Sequence, residues 1–226
     1  MKYTLAFDVY GTLINTSSVF NSLEKMIGDQ ATVFMETWRY KQLEYSFRRG
    51  LMEAYTDFSE CTNDSLEFCC QLYKTDLSKK QKSILMNEYS VLPTFPDVAK
   101  GLKDLKQAGH KLFAFSNGSE KSIIKLLTNA KIIDLFDGIV SVEKIETFKP
   151  NPLVYSHFNT ETNSSKSDSW LISSNPFDVI GALSYGMRSA WVQRSPDAVF
   201  DPWGIEPTTI IHKLTDLASQ LKKTKS

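Results

Sequence analysis

The sequence has few cysteines and no long apolar run. Its 226 residues include three cysteines, Cys61, Cys69 and Cys70, and no CxxC pair. An odd number without that spacing predicts neither a disulfide framework nor a zinc site, so we expect reduced, mostly buried thiols. No run reaches the roughly 18 apolar residues that a membrane span needs, and the chain opens on a strand pattern. We therefore expect no membrane segment, no secretory signal and a cytoplasmic location.

An excess of charge of one sign is also missing. The 26 lysine and arginine residues balance the 26 aspartate and glutamate residues. Without net charge there is no global electrostatic field that would attract nucleic acid or an anionic membrane surface. We expect a small molecule as the partner instead, with no nucleic acid and no membrane. The length suits one core domain with a smaller inserted domain.

Hydrophobic patterns divide the chain into two parts. A short apolar run over residues 3–7 predicts a buried strand, whereas residues 15–92 carry helical patterns alone. Pro93 and Pro96 follow, and strand and helix patterns then alternate, which is typical of a parallel sheet. We predict an α/β fold with a doubly wound, Rossmann-like parallel sheet core over residues 1–14 and 93–226. An all-helical cap is predicted to be inserted over residues 15–92.

The core pattern predicts five more strands, over residues 111–115, 138–141, 170–173, 190–193 and 209–211. In the cap, Ser78 and Gln81 have the spacing of a helix capping box. The polar stretch 159–169 predicts an exposed connection, and the basic tail 222–226 predicts a frayed end.

Polar residues follow several of the predicted strands. Asp8 and Thr12 come after the first strand, and Ser116-Asn117-Gly118 after the second; Lys149-Pro150 and the segment 173–178 come later. Each segment alone is a weak signal, since Ser116-Asn117-Gly118 by itself is typical of a turn and Lys149 by itself of a solvated lysine. Because the carboxyl ends of parallel strands share one edge of the sheet, where ligands bind, the four segments together favour one site.

These segments resemble the ordered motifs of the haloacid dehalogenase superfamily, and the resemblance extends over essentially the whole chain. Within the superfamily the chain looks like the type II L-2-haloacid dehalogenases. The matching segments are Asp8-x-Tyr10-Gly11-Thr12, Trp38-Arg39, Lys41-Gln42-Leu43-Glu44-Tyr45-Ser46, Ser116-Asn117-Gly118, Lys149-Pro150 with Tyr155, and Ser173-Ser174-Asn175-x-Phe177-Asp178. The resemblance implies hydrolysis of short L-2-haloalkanoic acids to D-2-hydroxy acids and halide, through an ester on Asp8 with inversion at C2. It also implies a homodimer.

Tyr10 separates this interpretation from the commoner chemistry of the superfamily. The magnesium-dependent phosphatases carry an aspartate two positions after the nucleophile and an acidic fourth motif. This chain has Tyr10 and Ser173-Ser174-Asn175 there, so we predict no metal and no cofactor. A magnesium-dependent phosphatase and a non-catalytic binding protein with a retained cleft are the alternatives. An assay in EDTA separates the three proteins: a dehalogenase should stay active, a phosphatase should lose its activity, and a binding protein should be unaffected.

The resemblance also implies roles for individual residues in the first step. Asp8 is the nucleophile, and Thr12 is expected to orient it by a hydrogen bond, although a threonine that follows a glycine in a turn is equally typical of a local hydrogen-bonding residue. Negative charge develops on the departing halide, so donors must be placed around it in advance. Arg39, Asn117 and Phe177 are expected to form this halide cradle, and Ser116 to bind the substrate carboxylate. The implied substrate-binding residues are Tyr10, Arg39, Ser116, Asn117 and Phe177.

In the second step, water attacks the carbonyl carbon of the Asp8 ester, and some group must take its proton. Asp178 is the first choice for this base, while Lys149, Asn175 and Ser173 arrange the water and the carboxylates. Lys149 is the alternative base if its pKa is lowered. Tyr155 is expected to support Lys149 or Asp178 by a hydrogen bond.

Aromatic side chains are frequent in the predicted cap, at Phe34, Trp38, Tyr45 and Phe58. Most are expected to be core residues. One or two are expected to line a small apolar pocket around the substrate side chain, which favours short aliphatic acids.

Overall fold

The apolar run at the start of the chain forms a central strand in the computed structural model, which describes residues 2–223. All four residues of this strand, β1 (Thr4–Phe7), are buried. Phe7 pairs in parallel with Ala114 on one side and with Ile172 on the other. Because helices cover both faces of such a strand, its sequence is nearly continuously apolar rather than alternating.

The described residues form one sheet of six parallel strands in the order β3-β2-β1-β4-β5-β6. The other strands are β2 (Lys111–Ser116), β3 (Gly138–Ser141), β4 (Ser169–Ser173), β5 (Arg188–Val192) and β6 (Thr209–Ile211). Strands β2 and β3 lie on one side of β1, and strands β4 to β6 lie on the other, so the order in which strands are added to the sheet reverses between β1 and β4. In doubly wound sheets, the crevice at the carboxyl ends of such strands is where ligands bind. The predicted fold class, a doubly wound parallel α/β sheet, is confirmed.

The α-helices of the described residues are α1 (Phe20–Ile27), α2 (Ala31–Leu51), α3 (Phe58–Tyr73), α4 (Lys79–Glu88), α5 (Val98–Gln107), α6 (Glu120–Asn129), α7 (Pro152–Thr162), α8 (Pro176–Tyr185) and α9 (Leu217–Lys223). The predicted capping box is present at the start of α4, where Ser78 and Gln81 bond each other's backbone.

The helices α1 to α4 lie between β1 and β2, within the stretch predicted to be helical. The long helix α2 is anchored on α3 by its buried face. Trp38 Nε1 donates a hydrogen bond of 2.9 Å to the carbonyl of Thr62, and Gln42 Nε2 donates one of 2.5 Å to the Thr62 hydroxyl. Trp38 and Gln42 lie four residues apart and therefore on the same side of α2. These contacts fix the helix that carries Arg39.

The prediction of an exposed connection over residues 159–169 is wrong at both ends. Helix α7 continues to Thr162, and β4 begins at Ser169. Asn159 is buried, and its Nδ2 donates hydrogen bonds to the hydroxyls of Ser164, at 3.0 Å, and Ser169, at 2.7 Å. Polar residues with partners of this kind can be buried at little cost, which composition alone does not show. Residues 165–168 are exposed, as predicted.

At the end of the chain, residues 222 and 223 belong to α9, whereas the rest of the predicted frayed tail, 224–226, lies outside the described residues. Cys61, Cys69 and Cys70 are buried and unbridged, as predicted, and burial raises the pKa of Cys61 to about 11. Within residues 2–223, no helix is long and apolar enough to cross a membrane.

Candidate active site

Asp8 lies just past the carboxyl end of β1 and is buried. Gly11 follows with a φ of +80°, a conformation that glycine adopts without strain. Thr12 Oγ1 donates a hydrogen bond of 2.8 Å to Asp8 Oδ2, so the predicted contact between these two residues is present. The turn after β1 therefore builds the first part of the site.

The segment after β4 supplies two more donors to the same carboxylate oxygen. Ser173 Oγ lies 3.3 Å and Asn175 Nδ2 lies 2.8 Å from Asp8 Oδ2. Oδ1 of Asp8 has a different partner, since Lys149 Nζ lies 3.2 Å from it. The two oxygens of Asp8 thus differ: three neutral donors hold Oδ2, and a cation faces Oδ1.

Lys149 is buried at the centre of the site. Its Nζ also donates to Asp178 Oδ2 at 2.8 Å and to the carbonyl of Phe115 at 3.0 Å. Burial by itself lowers the pKa of Lys149, but the carboxylates of Asp178 and Asp8 outweigh it and raise the pKa above its usual value. Lys149 therefore stays protonated in this resting arrangement, which argues against the alternative in which it acts as the base through a lowered pKa.

Asp178 lies in the first turn of α8 and is fully buried. Tyr155 donates a hydrogen bond of 2.9 Å to Asp178 Oδ1, which is one of the two contacts predicted for this tyrosine. Burial raises the pKa of Asp178, and the neighbouring Asp8 adds to this effect while Lys149 opposes it. Gly181 allows the arrangement, because a Cβ there would lie 2.4 Å from the Tyr155 hydroxyl.

A small cavity of about 20 Å³ opens beside Asp8. This volume holds about one water molecule. The predicted site residues that line it are Asp8, Tyr10, Arg39, Ser116, Asn117, Lys149, Asn175 and Phe177. The structure therefore brings all five predicted substrate-binding residues to one place.

Arg39 reaches this cavity from the helical segment, so residues of α2 and of the sheet edge meet as expected. Its Nη2 lies 3.4 Å from Asn175 Oδ1, and its Nη1 donates a hydrogen bond of 2.7 Å to Gln42 Oε1. Gln42 in turn contacts Thr62 on α3. The guanidinium is held by neutral amide groups and carries its charge into the cavity.

Four predicted site residues do not line the cavity: Thr12, Tyr155, Ser173 and Asp178. Thr12 and Ser173 contact the Asp8 carboxylate, whereas Tyr155 and Asp178 are linked to it through Lys149. These residues form a buried layer behind the nucleophile.

Leu43 is a cavity wall that no sequence pattern predicts, and Phe58, one of the four aromatic candidates, lines the cavity as well. Arg194 is a further residue that the sequence does not predict, and its Nε donates a hydrogen bond of 3.2 Å to the carbonyl of Thr12. Arg194 Nη1 lies 2.8 Å from each carboxylate oxygen of Asp97. This ion pair braces the turn that carries Thr12. No local pattern marks it, because residues 97 and 194 are far apart in the sequence.

Comparison with known proteins finds dehalogenases and a family model named after them. The model of the haloacid dehalogenase-like hydrolase family matches residues 5–192. An (S)-2-haloacid dehalogenase of Pseudomonas putida is 34% identical over 217 residues, which cover 96% of this chain and 95% of that protein. Haloacetate dehalogenase H-2 of Moraxella sp. (strain B) is 36% identical over 203 residues, 90% of each chain.

A solved structure is similar over almost the whole length. It is that of L-2-haloacid dehalogenase from Xanthobacter autotrophicus with chloropropionic acid covalently bound. The TM-score is 0.91 at 27% sequence identity, and the match covers 98% of this chain and 99% of that chain.

Proposed function

The chain belongs to the haloacid dehalogenase-like hydrolases, and we propose that it hydrolyses the carbon–halogen bond of short-chain (S)-2-haloacids, the L-2-haloalkanoic acids. The products are halide and a D-2-hydroxy acid. One observation carries the proposal: Asp8, the protonated Lys149 and the arginine Arg39 meet in a single small cavity. The names of the similar (S)-2-haloacid dehalogenases support the substrate class.

In the first step, Oδ1 of Asp8 attacks C2 of the substrate. Oδ2 already accepts three hydrogen bonds, whereas among the described residues Oδ1 has Lys149 as its one donor, so Oδ1 keeps a lone pair for attack. A bond forms between Oδ1 and C2 while the bond from C2 to the halogen breaks. The halide leaves with the electron pair, and the configuration of C2 inverts.

Arg39, Asn117 and Phe177 are the proposed halide cradle. Asn117 Oδ1 accepts a hydrogen bond of 3.0 Å from the backbone nitrogen of Lys149, so its Nδ2 is the group left to donate to a halide. Arg39 supplies positive charge next to it. Donors fixed in advance lower the barrier most where charge develops during the reaction.

Ser116 and Tyr10 are proposed to bind the rest of the substrate. The Ser116 hydroxyl oxygen accepts a hydrogen bond of 3.1 Å from the backbone nitrogen of Gly118, which leaves its hydrogen to donate to the substrate carboxylate. Burial raises the pKa of Tyr10, so its ring is a neutral wall of the cavity. Fixing the carboxylate places C2 in line with Asp8.

In the second step, water attacks Cγ of the Asp8 ester. Since Asp178 lies behind the cavity and accepts a hydrogen bond from Lys149, a relay fits the geometry: Lys149 first passes a proton to Asp178, and the amine so formed takes a proton from the attacking water. The raised pKa of Asp178 makes it a better proton acceptor. The bond from Cγ to Oδ1 then breaks, and Oδ1 takes the remaining proton of the attacking water and leaves as the hydroxyl of the hydroxy acid. Asp8 keeps the oxygen of the water, and Asp178 releases its proton to solvent.

The donors present do not suit the magnesium ion of the superfamily's phosphatases. Asp8 and Asp178 both contact the ammonium group of Lys149, which already balances their charge. Tyr10 and Asn175 stand where further carboxylates would be required. Among residues 2–223, no group of three or more acidic, histidine or cysteine side chains is placed to hold a metal ion. No step of the proposed reaction uses a metal.

The direct test is halide release from L- and D-2-bromopropanoate, assayed separately in EDTA. The proposal requires release from the L-enantiomer alone. A parallel assay with p-nitrophenyl phosphate and magnesium tests the phosphatase alternative. Phosphate release without halide release would refute the dehalogenase, and equal release from both enantiomers would refute the selectivity for L-2-haloacids.

Three expectations from the sequence belong to the same proposal. They are the division into a core of residues 1–14 and 93–226 and a cap of residues 15–92, a homodimer, and a cytoplasmic location. Light scattering after gel filtration tests the dimer, and a single monomer-sized mass would contradict it.

A further inference from the structure

A second cavity, of about 310 Å³, adjoins the catalytic cavity. We call it the vestibule; its lining includes Tyr10, Asp57, Phe58, Tyr89, Lys121 and Lys125. Tyr10 and Phe58 line both cavities, and their ring centroids lie 6.2 Å apart. These two rings therefore form a shared wall between the vestibule and the nucleophile.

The catalytic cavity is too small to admit a substrate as it stands. Its volume of about 20 Å³ holds roughly one water molecule, whereas any 2-haloacid has several heavy atoms. A wall must move before a substrate binds. The rings of Tyr10 and Phe58 are candidates for that movement, because on their other side lies a cavity of about 310 Å³.

Charged groups at the vestibule favour an anion. Lys121 and Lys125 lie one turn apart on α6, and both are exposed. Asp57 is the acidic residue in the lining, and its Oδ1 accepts a hydrogen bond of 2.7 Å from the backbone nitrogen of Ser59 at the start of α3. Two cations and one carboxylate leave the vestibule with a positive balance.

Tyr89 gives a second, independent indication of a ligand. Its side chain is 7% exposed, yet its hydroxyl has no hydrogen-bond partner among the described residues. Burial raises the pKa of Tyr89 to about 12, so the group remains a neutral donor. Buried hydroxyls normally have partners. The hydroxyl is closed to solvent here, so a shift of the Tyr89 ring, which lines the vestibule, must present it to an acceptor such as a carboxylate oxygen.

We propose that the vestibule is a second carboxylate-binding subsite, in which Lys121, Lys125 and the Tyr89 hydroxyl hold a short-chain acid before Tyr10 and Phe58 admit it to the catalytic cavity. The subsite deepens the proposed function and rests on it for the identity of the acid. The lysines speed the capture of the anion, and the hydroxyl slows its escape.

The test uses propanoate, which lacks the halogen and therefore binds without reacting. Its binding to the full-length protein is followed by tryptophan fluorescence in stopped flow, because the Trp38 ring lies 5.1 Å from that of Tyr89. At low ionic strength, changing both lysines in Lys121→Gln/Lys125→Gln should lower the association rate constant about 3- to 10-fold. The difference should vanish near 1 M salt, where the screening length is about 3 Å.

Two further variants make the test specific. Asp57→Asn removes the negative charge but keeps a good helix cap, so it should raise the association rate constant about 2- to 3-fold. Lys103→Gln changes an exposed lysine on α5 that lines neither cavity, and should leave the rate constant unchanged. Tyr89→Phe should raise the dissociation rate constant about 3- to 10-fold.

Several results would overturn the subsite: no binding of propanoate, unchanged association in the double lysine variant, an equal loss in Lys103→Gln, or unchanged dissociation in Tyr89→Phe. Halide release by the unaltered protein is scored separately. If the unaltered protein releases halide and the variants bind propanoate with unchanged kinetics, the carboxylate subsite is refuted and the proposed dehalogenase activity is not. If the variants change propanoate binding as expected but the unaltered protein releases no halide from any 2-haloacid, the dehalogenase activity is refuted and the carboxylate subsite is supported.

Discussion

The ammonium nitrogen of Lys149 lies 3.2 Å from Oδ1 of Asp8, and the lysine side chain is 2% exposed. A cation this deeply buried is costly unless charged and polar partners surround it. The carboxylates of Asp8 and Asp178 provide that partnership, with the Phe115 carbonyl as a third acceptor. The same ion group therefore stabilises the core and sets the charge at the nucleophile.

Removing this cation should destabilise the fold. In Lys149→Met, two buried carboxylates lose their counter-charge, and we expect a loss of about 3 to 5 kcal/mol in the free energy of unfolding. The loss should shrink in acid, because Asp178, whose pKa is raised by burial, then takes up a proton. Urea denaturation at several pH values measures it.

Lys144→Met is the matched control. Lys144 pairs with Glu161 at 3.0 Å, but the two side chains are 61% and 37% exposed, so we expect less than about 1 kcal/mol. Equal losses of unfolding free energy in the two variants would mean that the buried ion group of Lys149, Asp8 and Asp178 contributes no more to stability than an exposed ion pair. Halide release should fall by at least about 100-fold in Lys149→Met and stay unchanged in Lys144→Met.

The role of Arg39 is tested by a change that keeps its charge. Arg39→Lys loses the planar pair of donors that contacts Gln42 and Asn175. We expect the first step to slow about 100-fold and the hydrolysis of the ester to change little. Rapid-quench measurement of halide and hydroxy acid separates the steps. Arg48→Lys, on the same helix with its side chain 61% exposed, is the control. Equal slowing of both steps in Arg39→Lys would argue against a halide cradle.

The brace beneath Thr12 should make stability depend on acid pH. Burial by itself raises the pKa of Asp97, but the backbone N–H of Leu214 and the Arg194 guanidinium outweigh it and hold the pKa below its ordinary value of 3.8. Such a group stabilises the fold above pH 3.8, and its contribution is lost as the pH falls through the folded-state pKa.

Asp97→Asn should therefore be less stable than the unaltered protein by about 2 to 3 kcal/mol near neutral pH, and the difference should narrow in strong acid. Urea denaturation between neutral and strongly acid pH checks this. A difference that stays constant with pH would mean that the carboxylate charge contributes nothing.

The sequence predicts the sheet edge well, because strand ends carry their chemistry in short local patterns. Asp8, Ser116 and Ser173 follow or end apolar runs, and parallel strands bring such ends together whatever lies between them. The prediction of Arg39 as a site residue rests on the family resemblance alone. As an isolated helix residue it has no signal that distinguishes it from a solvated arginine.

Other features depend on pairings that no local pattern records. Arg194 finds Asp97 only after the chain has folded, and the hydroxyls around Asn159 become a buried cluster only when β4 lies beside the end of α7. Gly181 looks like a weak point in a helix until Tyr155 is placed against it. Tertiary contacts override composition at these positions.

The proposed reaction requires a covalent ester at Asp8. A single turnover of L-2-chloropropanoate with excess enzyme in heavy-oxygen water, followed by mass spectrometry, locates the oxygen that water supplies. We expect one heavy oxygen in the peptide that contains Asp8, an unlabelled hydroxy acid from that first turnover, and no halide release from Asp8→Asn. Heavy oxygen in the hydroxy acid of the first turnover, with none in Asp8, would show direct attack of water on C2 and would contradict the ester mechanism.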